Sequence, residues 1–290
     1  MRIMVFLAGC LLALSVNANE RLQVVTSFSI LADFTAEIGG EHVQVINLVG
    51  ADEDAHVYQP TPDDARALLS ADLVIANGLD FEPWLPRLMN STESKAPYVE
   101  ATRGILPLMV EEDGERVADP HAWQSLANAE IYVNNIAQAL AEADPANAEY
   151  YQAQRDSYQQ QVKELLKEVR TSLGGLPASQ RKVITSHDAF GYLGQSYGLQ
   201  FIAPQGLSTH SEPSAAEVAA LIRQIRADQV RAVFVENIRN PRLIEQIAEE
   251  ADARVGGTLY SDALASEGPA SNYLGMYRHN VDTLVEALGE

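Results

Sequence analysis

The sequence predicts an α/β fold in which two halves with mostly parallel sheets are joined by one long helix. Short apolar, β-branched segments alternate with helical segments in the first part of the chain, and the same alternation returns in the last part. A long amphipathic stretch separates the two parts. Strands that alternate with helices form parallel sheets, because each helix crosses back over the sheet before the next strand begins.

The first half is predicted to contain three strands and two helices. The strands are expected over residues 22–27, 43–49 and 73–77, and the helices over residues 29–38 and 62–70. The second helix has the clearest start, because Thr61 can cap its first turn and Pro62 stands where proline is favoured.

Residues 144–174 are predicted to form the connecting helix. Asp144 and Pro145 open this stretch, two glycines close it, and apolar side chains recur at helical spacing between them. At a rise of 1.5 Å per residue such a helix spans roughly 45 Å. We therefore expect a rigid connector rather than a flexible linker.

The second half repeats the pattern of the first. Strands are expected over residues 182–185, 199–202, 231–236 and 255–260, and helices over residues 189–197, 214–227, 241–251 and 272–288. Ser214 and Glu217 form a capping-box pattern at the start of the second of these helices.

The charge of the chain restricts its partners. It contains 40 Asp and Glu against 20 Lys and Arg, which gives a net charge of −20. Nucleic acids and anionic membranes repel such a protein, so neither is an expected partner. We expect a monomer.

The first 18 residues are predicted to be a secretory signal. Arg2 is followed by an apolar run over residues 3–16 and by small residues before Asn19. The mature protein would then comprise an N-terminal lobe over residues 19–143, a linking helix over 144–174 and a C-terminal lobe over 175–290, in a periplasmic location. Cleavage would remove Cys10, which is the only cysteine, so no thiolate could bind metal.

A lipid anchor at Cys10 is the alternative. The segment Leu7-Ala8-Gly9-Cys10 looks like a lipobox. The apolar run continues beyond Cys10, however, and the stretch before it is very short, which favours a cleaved signal without lipid.

Four polar side chains are expected to follow the ends of strands. His187 and Asp262 come after strands of the second half, His56 lies in the loop after residues 43–49, and His121 lies in a loop that opens a helix. In parallel α/β sheets ligands bind at the carboxyl ends of the strands. If the two halves face each other, three imidazoles and one carboxylate can meet.

That donor set suits Zn²⁺ well and Mn²⁺ or Fe²⁺ less well. Four protein ligands fill a tetrahedron, whereas a catalytic zinc usually keeps an open position, so the set favours holding a metal over hydrolysis. Spacing alone leaves a solvated or hydrogen-bonding role open for each histidine, because none belongs to a dense motif such as H-E-x-x-H.

Three stretches of the sequence resemble one known family. They are DAHVYQPTPDD at residues 54–64, DPHAW at residues 119–123 and LYSDALASEGPASNYLGMYRHNVDTLVEAL at residues 259–288. Together with the order of the elements and the length, they are similar to the zinc- and manganese-binding solute-binding proteins of bacterial ABC importers. The resemblance covers nearly the whole chain after the signal.

The resemblance implies that His56, His121, His187 and Asp262 bind one metal ion per chain. It also implies two Rossmann-like lobes joined by a rigid helix, with the metal in the cleft between them. The partners would be the permease and ATPase subunits of an importer, with a metallochaperone as a further candidate.

Two features distinguish types within the family. Many manganese-type members have Glu at the third ligand position, whereas His187 stands there in this chain and favours Zn²⁺. Zinc-type members often carry a His-rich loop before the second motif, but the corresponding acidic segment, residues 111–119, has no histidine. The sequence leaves the role of this segment open.

Glu236 ends a predicted strand and is a candidate for holding a ligand imidazole by its free N–H. An exposed or salt-bridged glutamate is an equally good interpretation.

Three functional alternatives also stay open. The first is a manganese or iron binder of the same fold, the second is a secreted zinc hydrolase with Glu236 or Asp188 as general base, and the third is a surface adhesin.

Overall fold

The computed structural model describes residues 21–112 and 114–289. The predicted signal segment, residues 1–18, and its Cys10 lie outside the described residues. Within the described ranges, no helix combines the length and the apolar character that crossing a bilayer requires.

The first sheet consists of four parallel strands. They are β1 (Leu22–Phe28), β2 (Val43–Val49), β3 (Leu73–Ala76) and β4 (Tyr98–Glu100). Their order in the sheet is β2-β1-β3-β4. Most of β1 and all of β3 are buried, which explains their nearly continuous apolar sequences, because central parallel strands are covered on both faces.

Four helices and a hairpin accompany this sheet. The helices are α1 (Ser29–Gly39), α2 (Pro62–Ser70), α3 (Trp84–Thr92) and α4 (Leu126–Ala143), and the antiparallel hairpin consists of β5 (Met109–Glu112) and β6 (Glu115–Ala118). In α2, the Thr61 hydroxyl accepts from the N–H of Asp64 and the Asp64 carboxylate accepts from the N–H of Thr61, which caps the first turn.

The connecting helix is α5 (Ala148–Gly174), which follows a short 3₁₀ helix over Pro145–Asn147. It packs against α1, α4 and the C-terminal helix α9 (Tyr273–Gly289). The side chains that α5 buries recur at helical spacings of three, four or seven residues: Tyr151, Tyr158, Val162, Leu165, Val169 and Leu173. They belong to one apolar core that includes residues of both halves, so packing holds α5 in a fixed position between them.

The second sheet has the same topology as the first. Its parallel strands are β7 (Lys182–Ile184), β8 (Gln200–Ile202), β9 (Ala232–Glu236) and β10 (Arg254–Leu259), in the order β10-β9-β7-β8. Counted along the chain within each half, both sheets therefore have the order 2-1-3-4. The helices of this half, apart from α9, are α6 (Gly191–Tyr197), α7 (Ala215–Asp228) and α8 (Arg242–Ala251). Helices α7 and α8 enclose a second, smaller core.

The predicted α/β class, the parallel sheets and the long connecting helix are confirmed. The predicted elements are present with boundaries that differ by a few residues. The long helical stretch opens with a 3₁₀ helix over Pro145–Asn147, and its α-helical part begins at Ala148.

Between residues 77 and 144 the sequence predicted only a helix that opens after His121, without bounds. That stretch contains α3, β4, the β5–β6 hairpin and α4. Helix α4 carried a usable signal, since its apolar residues recur at helical spacing.

Candidate metal centre

The four predicted ligands lie beyond strands, in loops that the two sheets bring together. His56 lies between β2 and α2, and His121 follows the β5–β6 hairpin. His187 comes shortly after β7, and Asp262 shortly after β10. The strands of each four-stranded sheet are parallel, so His56, His187 and Asp262 follow the carboxyl ends of such strands, whereas His121 follows the antiparallel hairpin. Each half contributes two side chains.

The structure brings these four side chains into one buried cluster. One donor atom from each lies within 4.8 Å of the others. The Oδ2 atom of Asp262 is 3.1 Å from Nε2 of His187 and 3.2 Å from Nε2 of His56. The Nε2 atoms of His56 and His121 are 3.3 Å apart. No residue of the cluster is more than 5% exposed.

These separations fit a small divalent cation. Bonds of about 2.0–2.1 Å to a tetrahedral Zn²⁺ place the donors about 3.3 Å from one another. The Oδ1 atom of Asp262 is also buried without a hydrogen-bond partner. A buried polar atom is costly to leave unpaired, so this oxygen is consistent with a site that takes a ligand. The ligand role of the four residues itself stays a prediction.

Burial and neighbouring charges shift the pKa values of the side chains in the cluster. Burial lowers the pKa of His187, but the carboxylates of Glu236 and Asp262 outweigh burial and hold this pKa well above its ordinary value. Burial raises the pKa of Asp262, but His187 and His121 outweigh it and hold this pKa well below its usual range. Burial lowers the pKa of His56. A metal ion would therefore displace the proton of His187 when it binds.

Glu236 lies on the far side of the His187 ring from the cluster. Its Oε2 atom is 2.5 Å from Nδ1 of His187, while its Oε1 atom accepts from the backbone N–H groups of Ser186 and His187 at 2.7 and 2.9 Å. With Nδ1 facing Glu236, Nε2 is left to face Asp262. Glu236, which the sequence offered as one of two equally good interpretations, is thus placed to orient the ring, and this role stays a prediction.

Asp119 has the corresponding position beside His121, and it was not among the residues predicted from the sequence. Its Oδ1 atom lies 2.8 Å from Nδ1 of His121 and accepts from the backbone N–H of the same residue at 2.9 Å. A usable signal was present, because an aspartate often accepts from the N–H two residues later along the chain.

Aromatic rings line the first-half side of the cluster. The ring of Phe81 packs edge-on against His56 with centroids 4.7 Å apart, and the ring of Trp123 packs against His121 at 5.3 Å. The indole N–H of Trp123 donates to the carbonyl of Ser261, next to Asp262, at 2.8 Å. Such an apolar wall limits solvent access and strengthens the electrostatic interactions inside.

The loop between β8 and α7 joins the two halves beside the cluster. The N–H of Leu207 donates to Oε1 of Glu112 in the acidic hairpin at 2.9 Å. The hydroxyl of Thr209 donates to Oδ2 of Asp54, two residues before His56, at 2.7 Å. The acidic segment, whose role the sequence left open, therefore contacts this loop through Glu112.

The chain is similar to known metal-binding proteins along most of its length. A family model described as zinc-uptake complex component A, periplasmic, matches residues 24–287. The iron-binding protein YfeA of Yersinia pestis is 34% identical over 276 residues, which cover 94% of this chain and 88% of that protein. The manganese-binding lipoprotein MntA of Halalkalibacterium halodurans is 36% identical over 274 residues, which cover 94% and 90%.

A solved structure is also similar along most of its length. The periplasmic zinc-binding protein TroA from Treponema pallidum superposes with a TM-score of 0.88 at 30% sequence identity. The match covers 92% of this chain and 99% of that one.

Proposed function

Because the chain belongs to the zinc-uptake component A family, whose members are metal-binding proteins of ABC importers and not enzymes, we propose that it captures Zn²⁺ outside the cytoplasm. It then delivers the ion to a membrane permease that an ATPase subunit drives. The ion is the cargo of this protein and not a cofactor, and one ion binds per chain.

The observation that carries the proposal is the buried set of three imidazoles and one carboxylate. His56, His121, His187 and Asp262 would hold the ion, with donor atoms at separations that suit a tetrahedral Zn²⁺. Three nitrogen donors favour zinc over manganese, which prefers oxygen. Four protein donors also complete a tetrahedron, which suits capture and transfer better than hydrolysis.

Each half supplies two of the four candidate ligands, and this arrangement supports transfer of the ion to the permease. Two come from segments before α5 and two from segments after it, so the ion links the halves across the cleft. We propose that residues 19–143 and 175–290 are two lobes that separate slightly about the helical segment 144–174. Separation pulls the two pairs of ligands apart and releases the ion.

A manganese or iron cargo is the second candidate. Both oxygens of Asp262 face the cluster, since Oδ2 approaches His56 and His187 while Oδ1 lies 3.6 Å from Nε2 of His121. A bidentate carboxylate would supply the additional oxygen that Mn²⁺ or Fe²⁺ favours. Two of the similar proteins are named for iron and manganese.

Competition between metals on the apo protein tests the proposal. We expect one Zn²⁺ per chain by elemental analysis, with zinc bound much more tightly than Mn²⁺. His187→Glu should narrow this preference, because it exchanges a nitrogen donor for an oxygen donor. Apo protein that takes up neither Zn²⁺ nor Mn²⁺ nor Fe²⁺ would refute metal capture, and equal affinities for Zn²⁺ and Mn²⁺ would refute the zinc preference alone.

We propose a periplasmic, monomeric protein whose signal is cleaved after Ala18. The similar proteins include lipoproteins, so a lipid anchor at Cys10 is the alternative. Mass spectrometry of the mature N-terminus separates the two, because it begins either at Asn19 or at a lipid-modified Cys10. A metallochaperone that loads the ion is compatible with this role.

A further inference from the structure

Helix α6 of the second half contacts the segment of the first half that carries His121. The hydroxyl of Tyr192 donates to the backbone carbonyl of Asp119 at 2.9 Å and accepts from the backbone N–H of Leu108 at 3.1 Å. Leu108 and Asp119 are themselves paired, since the Asp119 N–H donates to the Leu108 carbonyl at 2.8 Å. Tyr192 is only 4% exposed, so this hydroxyl has a fixed, buried position at the base of the hairpin.

The preceding residue, Gly191, lies directly against the carboxylate of Asp119. A Cβ atom at this position would stand 2.7 Å from Oδ2 of Asp119, a distance so short that the carboxylate would have to shift. This oxygen is buried and has no hydrogen-bond partner, whereas Oδ1 contacts His121. The absence of a side chain at Gly191 therefore makes the room that the carboxylate occupies.

We propose that Gly191 and Tyr192 are positioning residues of the metal site, an inference that rests on the proposed function. Tyr192 fixes the main chain of Asp119, and Gly191 fixes the place of its carboxylate. The carboxylate in turn holds Nδ1 of His121, so that Nε2 points into the cluster. Neither positioning residue touches the metal.

One consequence concerns the opening of the cleft. Helix α6 belongs to the half that supplies His187 and Asp262, yet it sets the orientation of an imidazole in the other half. When the halves separate, the ion loses two ligands and His121 loses its outer support in the same motion. Release of the ion is then coupled to loosening of His121.

Two variants test the proposal on the full mature chain. Tyr192→Phe removes only the hydroxyl, and Gly191→Ala adds one methyl group against Asp119. We expect each to lower zinc affinity roughly 10- to 100-fold, as changes to the outer partners of metal-bound histidines do. Each should also alter the visible absorption of bound Co²⁺, which reports the geometry of the ligands.

Matched controls separate positioning from general destabilisation. Tyr151→Phe also removes one hydroxyl from a buried tyrosine, whose partner, Asp144, is far along the chain from the ligands. Gly174→Ala adds a methyl group where nothing lies within 4 Å. Both controls should keep the wild-type zinc affinity and Co²⁺ spectrum, and the thermal stability of each metal-free test variant should match that of its control.

A double variant makes the test specific for Asp119. In an Asp119→Ala background there is no carboxylate for the new methyl group to displace. Gly191→Ala should then cause no further loss of zinc affinity, whereas independent effects would multiply.

The outcomes separate the two proposals. If wild-type protein binds zinc and cobalt and both variants bind them identically, the positioning role is refuted while the proposed function stands. Multiplicative effects in the double variant, or a loss of affinity that only follows a loss of stability, also refute positioning through Asp119. If the wild-type protein binds neither metal, the proposed function fails and this inference fails with it.

Discussion

Glu82 should make the stability of this protein fall as the pH rises toward neutrality. Its side chain is 3% exposed and lies at the carboxyl end of the first sheet. Oε1 accepts from the hydroxyl of Ser27 at 2.7 Å and from the N–H of Asn77 at 2.5 Å. Burial nevertheless raises the pKa of Glu82 from 4.5 to about 7, because these hydrogen bonds only partly replace water.

The size and the sign of the effect follow from this shift. Each pKa unit corresponds to 1.36 kcal/mol, so a rise from 4.5 to about 7 is worth about 3 kcal/mol. The folded state holds the proton more tightly than the unfolded chain does. The contribution of Glu82 is therefore most favourable below pH 4.5 and is lost as the pH rises through about 7.

Glu82→Gln is the variant that isolates this contribution, because an amide of the same shape does not titrate. The free energy of unfolding of the metal-free proteins would be measured in urea at several pH values from 4.5 to 8. The difference between wild type and variant should change by about 3 kcal/mol across that range. Glu41→Gln at an exposed position is the charge-matched control. Parallel pH curves for wild type and Glu82→Gln would refute the reasoning.

Three further outcomes are expected at the metal site. Glu236→Gln should weaken zinc binding roughly 10- to 100-fold, because an amide cannot replace the charge beside Nδ1 of His187; unchanged affinity in a chelator competition would contradict this. Zinc binding should release about one proton per chain at neutral pH and strengthen as the pH rises, since the raised pKa keeps His187 protonated without metal. Calorimetry in buffers of different ionisation enthalpy detects this proton, and its absence would contradict the His187–Asp262 pairing. Thr209→Val removes the bond to Asp54 and should speed zinc transfer to a chelator in stopped flow; an unchanged rate would show that this loop does not retain the ion.

Local signals in the sequence were sufficient to predict many of the strands and helices. Strands β2 and β3 and helix α2 each have a clear apolar run or cap, and such features act over a few residues. The long α5 was visible in its apolar periodicity. The stretch from residue 77 to 144 was harder, because β4 and the strands of the hairpin are only three or four residues long. Strands this short depend on their neighbours in the fold more than on their own composition.

The candidate ligands could also be proposed from the sequence, since they are polar residues expected after strands and stand in motifs that resemble one family. Their outer partners were harder to find. Glu236 was a candidate because it ends β9. Asp119 carried only a local signal, its position two residues before His121, and its contact with the imidazole is seen only in the structure. Tyr192 gave no local sign at all, because its partners lie more than 70 residues away along the chain.

The sequence by itself determined the α/β class, the connecting helix and the chemical types of the candidate donors, because periodicity, capping and residue chemistry are local properties. Only the tertiary structure decided which atoms meet. It set the distances within the cluster. It also brought Glu112 to the loop before α7 and packed α6 on Asp119, and all of these contacts lie between the two halves. These contacts depend on how α5 and the shared core set one sheet against the other, and no short stretch of sequence contains that information.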